Sequence, residues 1–353
     1  MSSLLYNPNL TYLENFAQGP FDMHGIADTT GVSLPFGIPA GPLLHSRHCI
    51  EAFKAGFDIC VYKTVRNQQH PCNDFPNVMF VHPDAEDISF AQADAGILTD
   101  FDMPHIIKNV NISNSFGVPS MSPDFWQEDM RKANDAAGEN QLLIGSFQGS
   151  GTVQSFVDAA KMVTETGVKV LEMNTSCPNE GKDNLLCFDP QKVGEIAEAV
   201  KNAIGDLELH IKIAYMRKCG TEEIDEALLD ELLRTTVERG TVQGIAAINT
   251  IPSRLVNASG GDALTGGRST SGVCGGGIKW AGLKMVEALD SRRDRLRERG
   301  VDFSITGVGG VADFADYTEY RGAGADSVLA ATVPMFNPRM AIEVKKQALL
   351  ATL

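Results

Sequence analysis

The chain has 353 residues, enough for one large domain or two ordinary ones, which excludes a peptide, a small disulfide scaffold and a lone binding module. Hydrophobic residues at 43% and charged residues at 21% match a folded globular protein and not a disordered or fibrous one. Thirty Lys and Arg against 45 Asp and Glu leave a net charge of −15, a field that repels phosphate backbones and anionic lipid and argues against nucleic acid or membrane as the main partner.

Short apolar runs alternate with longer amphipathic stretches, the pattern of repeated βα units around a parallel sheet. In chain order the strand-like runs are Phe36–Ala40, Ile59–Lys63, Leu143–Phe147, Val168–Asn174, Leu209–Ile213, Gly244–Asn249, Phe303–Gly307 and Ser327–Ala331. The helical patterns that follow them are His48–Ala55, Pro123–Ala137, Val153–Thr166, Pro190–Ile204, Glu223–Glu238, Ile278–Arg297, Phe314–Arg321 and Arg339–Ala351. Eight of each is the count of a (β/α)8 barrel, although an open doubly wound sheet shares the alternation. The surplus length falls in Val65–Ser122 and Thr250–Gly277, two long connections that leave C-terminal strand ends, where barrel enzymes keep their chemistry.

The seven cysteines, at 49, 60, 72, 177, 187, 219 and 274, include no Cys-x-x-Cys pair and no Cys/His cluster, so a metal or iron–sulfur cluster held by this chain alone is not expected. Met1–Gly19 lacks a basic stretch followed by an apolar run, and no window nears the ~20 apolar residues of a spanning helix. Together these features predict a cytoplasmic protein.

The densest polar segment is Asn174-Thr175-Ser176-Cys177-Pro178-Asn179, directly after an apolar strand. Two amides, hydroxyls and a thiol at one strand end suit a ligand, while a capping turn with a packed Cys is the plainer alternative. Lys63 and Lys212 end other strands, with Asn249-Thr250 at the end of a third. A single such Lys commonly snorkels to the rim, but two at corresponding strand ends point to a shared electron-rich or anionic ligand. Asn114-Ser115-Phe116-Gly117-Val118-Pro119 places Gly and Pro where amides can face that ligand. Thr306-Gly307-Val308-Gly309-Gly310 and Ala330-Ala331-Thr332 follow the seventh and eighth strands, a common phosphate site in barrels. Ser271–Gly277 either adds amides to that group or is a flexible loop.

With these residues in view, the chain resembles the dihydroorotate dehydrogenases, flavoprotein (β/α)8 barrels of pyrimidine synthesis. The Asn-x-Ser-Cys-Pro-Asn hexapeptide at 174–179 carries the resemblance, and Cys at its fourth place is similar to the class 1 enzymes. The resemblance implies Cys177 as catalytic base and FMN as cofactor. It implies orotate or dihydroorotate contacts at Lys63, Asn114, Gly117, Val118, Asn174, Asn179, Asn249 and Thr250. The implied flavin contacts are Ala40, Gly41, Lys63, Lys212, Gly275, Gly309, Gly310, Ala331 and Thr332. Cys177 would take the C5 proton of dihydroorotate while the C6 hydride passes to flavin N5, with Lys212 near the N1/O2 edge. The Asn amides suit a ring of alternating carbonyl and N–H groups, and Lys63 would counter the substrate carboxylate or a flavin edge. A homodimer is implied, with an electron-transfer partner subunit if the oxidant is NAD.

The match runs from about Pro35 onward, so residues 1–34 are expected to be an N-terminal extension packing on a barrel of 35–353. The stretch Pro71–Pro76 lacks the family's Asn-Pro-x-Pro-Arg, and Phe116 is bulkier than the family's usual residue. A flavin barrel acting on another dihydropyrimidine, or a non-catalytic flavin-binding homologue, are the alternatives.

Overall fold

The computed structural model describes residues 7, 9–18, 26–83, 87–101, 110–176 and 185–352. In chain order they form α1 (Tyr12–Gln18), β1 (Phe36–Ile38), α2 (Ser46–Lys54), β2 (Ile59–Val65), β3 (Phe80–His82), α3 (Phe90–Ala95), β4 (Ile97–Asp100) and β5 (Asn111–Asn114). Next come α4 (Pro123–Asp135), β6 (Leu142–Phe147), α5 (Val153–Thr164), β7 (Val170–Asn174), α6 (Pro190–Ile204), β8 (Glu208–Ile213), α7 (Glu226–Thr235) and β9 (Gly244–Ala247). The chain continues with β10 (Ile251–Val256), β11 (Thr270–Gly275), α8 (Lys279–Arg297), β12 (Ser304–Val308), α9 (Phe314–Gly322), β13 (Ser327–Leu329) and α10 (Met340–Ala351).

Eight of the strands close a parallel barrel in the order β1-β13-β12-β9-β8-β7-β6-β2, and these are the eight apolar runs of the sequence. The (β/α)8 barrel is therefore the fold, and the open sheet is not. Along each strand alternate residues face inward. Val61, Ile144, Val170, Ala246, Val308 and Leu329 meet there as a packed plug, while the opposite faces bury against the helices. The helices begin where the chain supplies acceptors for their free N–H groups: Asp189, Asp225 and Asp313 cap α6, α7 and α9, and Thr152 caps α5. The pattern over Glu223–Glu238 is shorter than the periodicity predicts, since α7 ends at Thr235 and a separate 3₁₀ turn spans Val237–Arg239.

The two long connections are not plain loops. They supply β3, β4, β5, β10 and β11, which close a second five-stranded sheet in the order β10-β11-β5-β3-β4. Its pairs are antiparallel except β10 with β4. The run Ser271–Gly277, read as amide donors or a flexible loop, is largely β11, held against β5 from Asn111 to Asn114.

At the opposite end of the barrel, Lys345 of α10 is 2% exposed and donates to Asp28 and Asp58, each at 2.9 Å. Asp58 also accepts from the Leu34 N–H at 2.7 Å, so the triad ties the last helix, the barrel foot and the chain before β1 together. Burial alone would raise the Asp28 carboxyl, but Lys345 and Thr30 outweigh it and hold it below the usual range. Lys345→Met should destabilise the protein by about 3–5 kcal/mol in urea unfolding at pH 7, because two carboxylates lose their counter-charge. A lowered carboxyl stabilises above its unfolded value and loses that contribution as pH falls through the folded one. The gap to wild type should therefore shrink below about pH 4, and a gap that persists there would count against the triad.

Candidate active site

The C-terminal strand ends gather the candidate residues. In β2 the pairing with β6 shifts register between Tyr62 and Val65, so neighbouring residues Lys63 and Thr64 both reach the barrel mouth. Lys63 is buried, its N–H donates to Leu43 O at 3.0 Å, and Thr64 Oγ1 is 2.9 Å from Ser146 Oγ. Lys212 of β8 pairs in register with Asn174 of β7 and Ala246 of β9. It is 5% exposed, and among the described residues its ammonium has no hydrogen-bond acceptor or carboxylate partner. A buried, uncompensated cation on a cavity wall marks a site for an electron-rich ligand.

A linked set of amides and hydroxyls surrounds it. Asn249 Nδ2 donates to Asn174 Oδ1 at 3.3 Å and to Ser176 Oγ at 3.1 Å. Asn174 Nδ2 donates to Gln148 Oε1 at 3.2 Å, and Asn249 Oδ1 accepts from the Thr250 N–H at 2.9 Å. Thr175 Oγ1 and Ser176 Oγ both donate to Lys212 O, at 2.7 and 2.9 Å. Each amide is thus oriented by the protein before a ligand arrives. Cys177 and Asn179 lie outside the described residues. The chain on either side of them is anchored at the mouth, with Cys187 N–H donating to Thr175 O at 2.9 Å.

The turn after β5 has the form of a cradle of backbone amides. Gly117 has φ 76° and Val118 φ 52°, the latter a left-handed backbone that a β-branched residue adopts at a cost on the order of 1–3 kcal/mol. Both residues are buried, and no hydrogen bond from either N–H is made within the described residues. Two guanidiniums hold the carbonyl side of the turn: Arg66 Nε donates to Val118 O at 3.1 Å, and Arg268 Nη1 donates to Ser115 O at 3.1 Å. With its carbonyls engaged, the turn leaves these two N–H groups without an acceptor among the described residues.

Two joined cavities occupy the mouth. The larger spans about 850 Å³ of non-atom space, part of it open to solvent, and is lined by Ala40, Gly41, Lys212, Gly275, Gly309, Gly310, Ala331 and Thr332. β5 and β11 of the second sheet complete its wall through Ile112, Ser113 and Cys274. The smaller, about 440 Å³, is lined by Lys63, Thr64, Asn114, Val118, Asn174, Asn249 and Thr250. Ala40, Gly41, Asn114, Phe116, Lys212, Asn249 and Thr250 face both. Of the expected flavin contacts, Lys63 alone lies off the larger cavity. Of the expected substrate contacts, Gly117 belongs to the cradle between two lining residues.

Three further thiols lie near the mouth. Burial pushes Cys72 up to about 11, Cys187 up to about 12 and Cys274 up to about 11, so none is an appreciable thiolate at neutral pH. The sequence reading missed Arg66, Gln148, Arg268 and Cys274. Arg66 carried a weak signal, directly after the strand that holds Lys63; the others sit in connections or on β11, where only long-range pairing brings them in.

The family profile described as dihydroorotate dehydrogenase matches residues 102–353. A dihydroorotate dehydrogenase of Dictyostelium discoideum is 30% identical over 368 aligned positions, covering 96% of this chain and 96% of the relative. The catalytic subunit of an NAD(+)-linked dihydroorotate dehydrogenase B from Thermodesulfovibrio yellowstonii is 28% identical over 58% of this chain and 61% of its own. A crystal structure of the Eimeria tenella enzyme shares the fold, with TM-score 0.68 at 17% identity over 96% of this chain and 89% of that one. A barrel mouth with a buried lysine on the wall shared by two cavities, on a chain matched along nearly its whole length, belongs to an oxidoreductase of the dihydroorotate dehydrogenase family.

Proposed function

We propose that the protein oxidises (S)-dihydroorotate to orotate in de novo pyrimidine (UMP) synthesis, with FMN in the larger cavity and the substrate ring in the smaller. The observation that carries this reading is Lys212, which lines both cavities and whose ammonium has no partner among the described residues. The larger cavity suits a flat, phosphate-bearing group. Gly41 has φ 140°, and a Cβ there would meet no atom within 4 Å and project into open space, so the missing side chain leaves room for a ligand. The Gly309-Gly310 turn after β12 and Ala331-Thr332 after β13 offer backbone N–H groups where barrels bind phosphate.

FMN, when bound, supplies the acceptor for the hydride that leaves substrate C6. Lys212 holds positive charge where negative charge develops, with no reorganisation at the moment of reaction. Asn114, Asn174, Asn179 and Asn249 bind the ring's carbonyl and N–H edges, and the Gly117–Val118 amides with Lys63 take the carboxylate. Cys177 removes the C5 proton. That role for Cys177 is the one the resemblance of the 174–179 hexapeptide implies.

The same reading takes residues 1–34 as an extension packed on the barrel of 35–353. Tyr12 of α1 stands edge-on to Phe116, ring centroids 5.7 Å apart, and Phe16 meets His45 at 4.9 Å. It further takes the protein as a cytoplasmic homodimer, with an electron-transfer partner subunit if NAD is the oxidant. The six described cysteines are free thiols, in keeping with a reducing compartment, and no helix among the described residues is long and apolar enough to cross a membrane.

Anaerobic addition of dihydroorotate to the purified protein should bleach its flavin spectrum, and fumarate, a quinone and NAD offered in turn identify the oxidant. A flavin that stays yellow would reject the activity and favour a non-catalytic binder. Cys177→Ala should slow bleaching at pH 7 by about 10²–10⁴-fold, and the wild-type rate should climb with pH toward the thiol's ordinary value of about 8.5. Unchanged bleaching in both Cys177→Ala and Cys177→Ser would remove the base assignment. Lys212→Met should slow the same step on the order of 10²–10³-fold while leaving the melting transition near that of wild type.

A further inference from the structure

A further cleft borders the substrate cavity. A cleft of about 2010 Å³, part of it open to solvent, runs between the second sheet and the connections after β7 and β8, and Thr250 lines the cleft and both inner cavities. Its wall carries two arginines with different surroundings. Arg217 lies over the Phe90 ring at 3.9 Å and 3.7 Å from Asp94, so its charge is offset. Arg268 donates to Thr265 O at 3.1 Å, to Ser115 O at 3.1 Å, to Ser115 Oγ and to Asp74 O, all uncharged acceptors. Among the described residues it forms no ion pair, though the Asp74 carboxylate is near enough to be felt.

The acceptors of Arg268 place it directly behind the amide cradle, because Ser115 precedes the Phe116–Val118 turn. Arg268 lines the cleft and Lys63 the smaller cavity, with Thr250 on the wall of both, so a cation stands on each side of that shared residue. The protein's net charge of −15 opposes an anionic ligand at long range. A local cation at the entrance counters that repulsion.

We propose that Arg268 is a recruiting and positioning residue for the substrate carboxylate, drawing the anion through the Thr250 cleft and charging the amide cradle that receives it. This rests on the activity proposed above and names the entrance and the source of its selectivity for a carboxylate. The guanidinium contributes its field and holds the Ser115 carbonyl, and it takes no part in proton or hydride movement.

The test uses full-length, flavin-loaded wild type, R268Q and R268K. Orotate and its uncharged carboxamide, orotamide, are titrated against the flavin absorbance at low and high salt, and kcat and KM are measured with dihydroorotate. R268Q should weaken orotate about tenfold, leave orotamide unchanged, raise KM with kcat within about twofold, and flatten the salt dependence of kcat/KM. R268K should recover most of the orotate affinity. Unchanged orotate affinity in R268Q, or equal weakening of orotate and orotamide, overturns the inference, since a purely structural clamp is blind to ligand charge. If R268Q loses its flavin, wild type decides: an orotate-to-orotamide affinity ratio insensitive to salt overturns it. Wild type that fails to bleach with dihydroorotate overturns the underlying activity instead.

Discussion

The cost of taking an ammonium out of water governs this structure at both ends of the barrel. The effective penalty is several kcal/mol per ion even after relaxation, so a buried Lys persists only with compensation. Lys345 at the foot has its compensation inside the protein, from Asp28 and Asp58. Lys212 at the mouth has none among the described residues, although it is nearly as buried. One side chain type thus serves two ends, a staple where the carboxylates are built in and a binding charge where the partner must arrive. Glu172 lies two residues before Asn174 on the same face of β7, opposite His210, and its Oε1 has no hydrogen bond among the described residues.

The second sheet turns the mouth end of the barrel into a site. A bare barrel mouth is wide and wet, and a charge there would be worth little. β5 and β11 lie over one side of it, so Ser113, Asn114, Cys274 and Gly275 face the residues at the ends of β8, β12 and β13 across the larger cavity. The same closure carries Arg268 against Ser115 and thereby sets the conformation of the cradle turn. The strained backbone at Val118 is affordable only because Arg66, Arg268 and the sheet hold both of its flanks.

The barrel was legible in the sequence because its strands are buried on both faces and read as apolar runs bounded by turns. The strand-end lysines and asparagines stood out for the same reason, as polar groups set into apolar context. The second sheet was not legible. Its strands are three to six residues long, and β11 reads Thr-Ser-Gly-Val-Cys-Gly, with little β-propensity of its own; its order comes from pairing with β5, far away in the chain. Arg268 was invisible for a related reason, since an Arg among Gly, Ser and Thr looks solvated until the fold sets it beside Ser115. Cys177 and Asn179 fall outside the described residues, so the roles proposed for them rest on the resemblance of the hexapeptide.

An acidic protein that binds anions must segregate its charge. Net charge describes the field beyond the Debye length, about 8 Å at physiological ionic strength, and it is the right quantity for judging nucleic acid or a lipid surface. Inside that distance the count is local. Lys63, Lys212, Arg66 and Arg268 gather around the smaller cavity and the turn that borders it, three of them buried, where solvent screens them least. Many of the acidic side chains sit on the outer helices, as with Glu128, Glu195 and Glu231, exposed or already paired with Lys or Arg. Such charges lose most of their reach within a few ångströms of water. The same sequence can therefore repel a polyanion at its surface and hold a single carboxylate at its centre, and the two statements do not conflict.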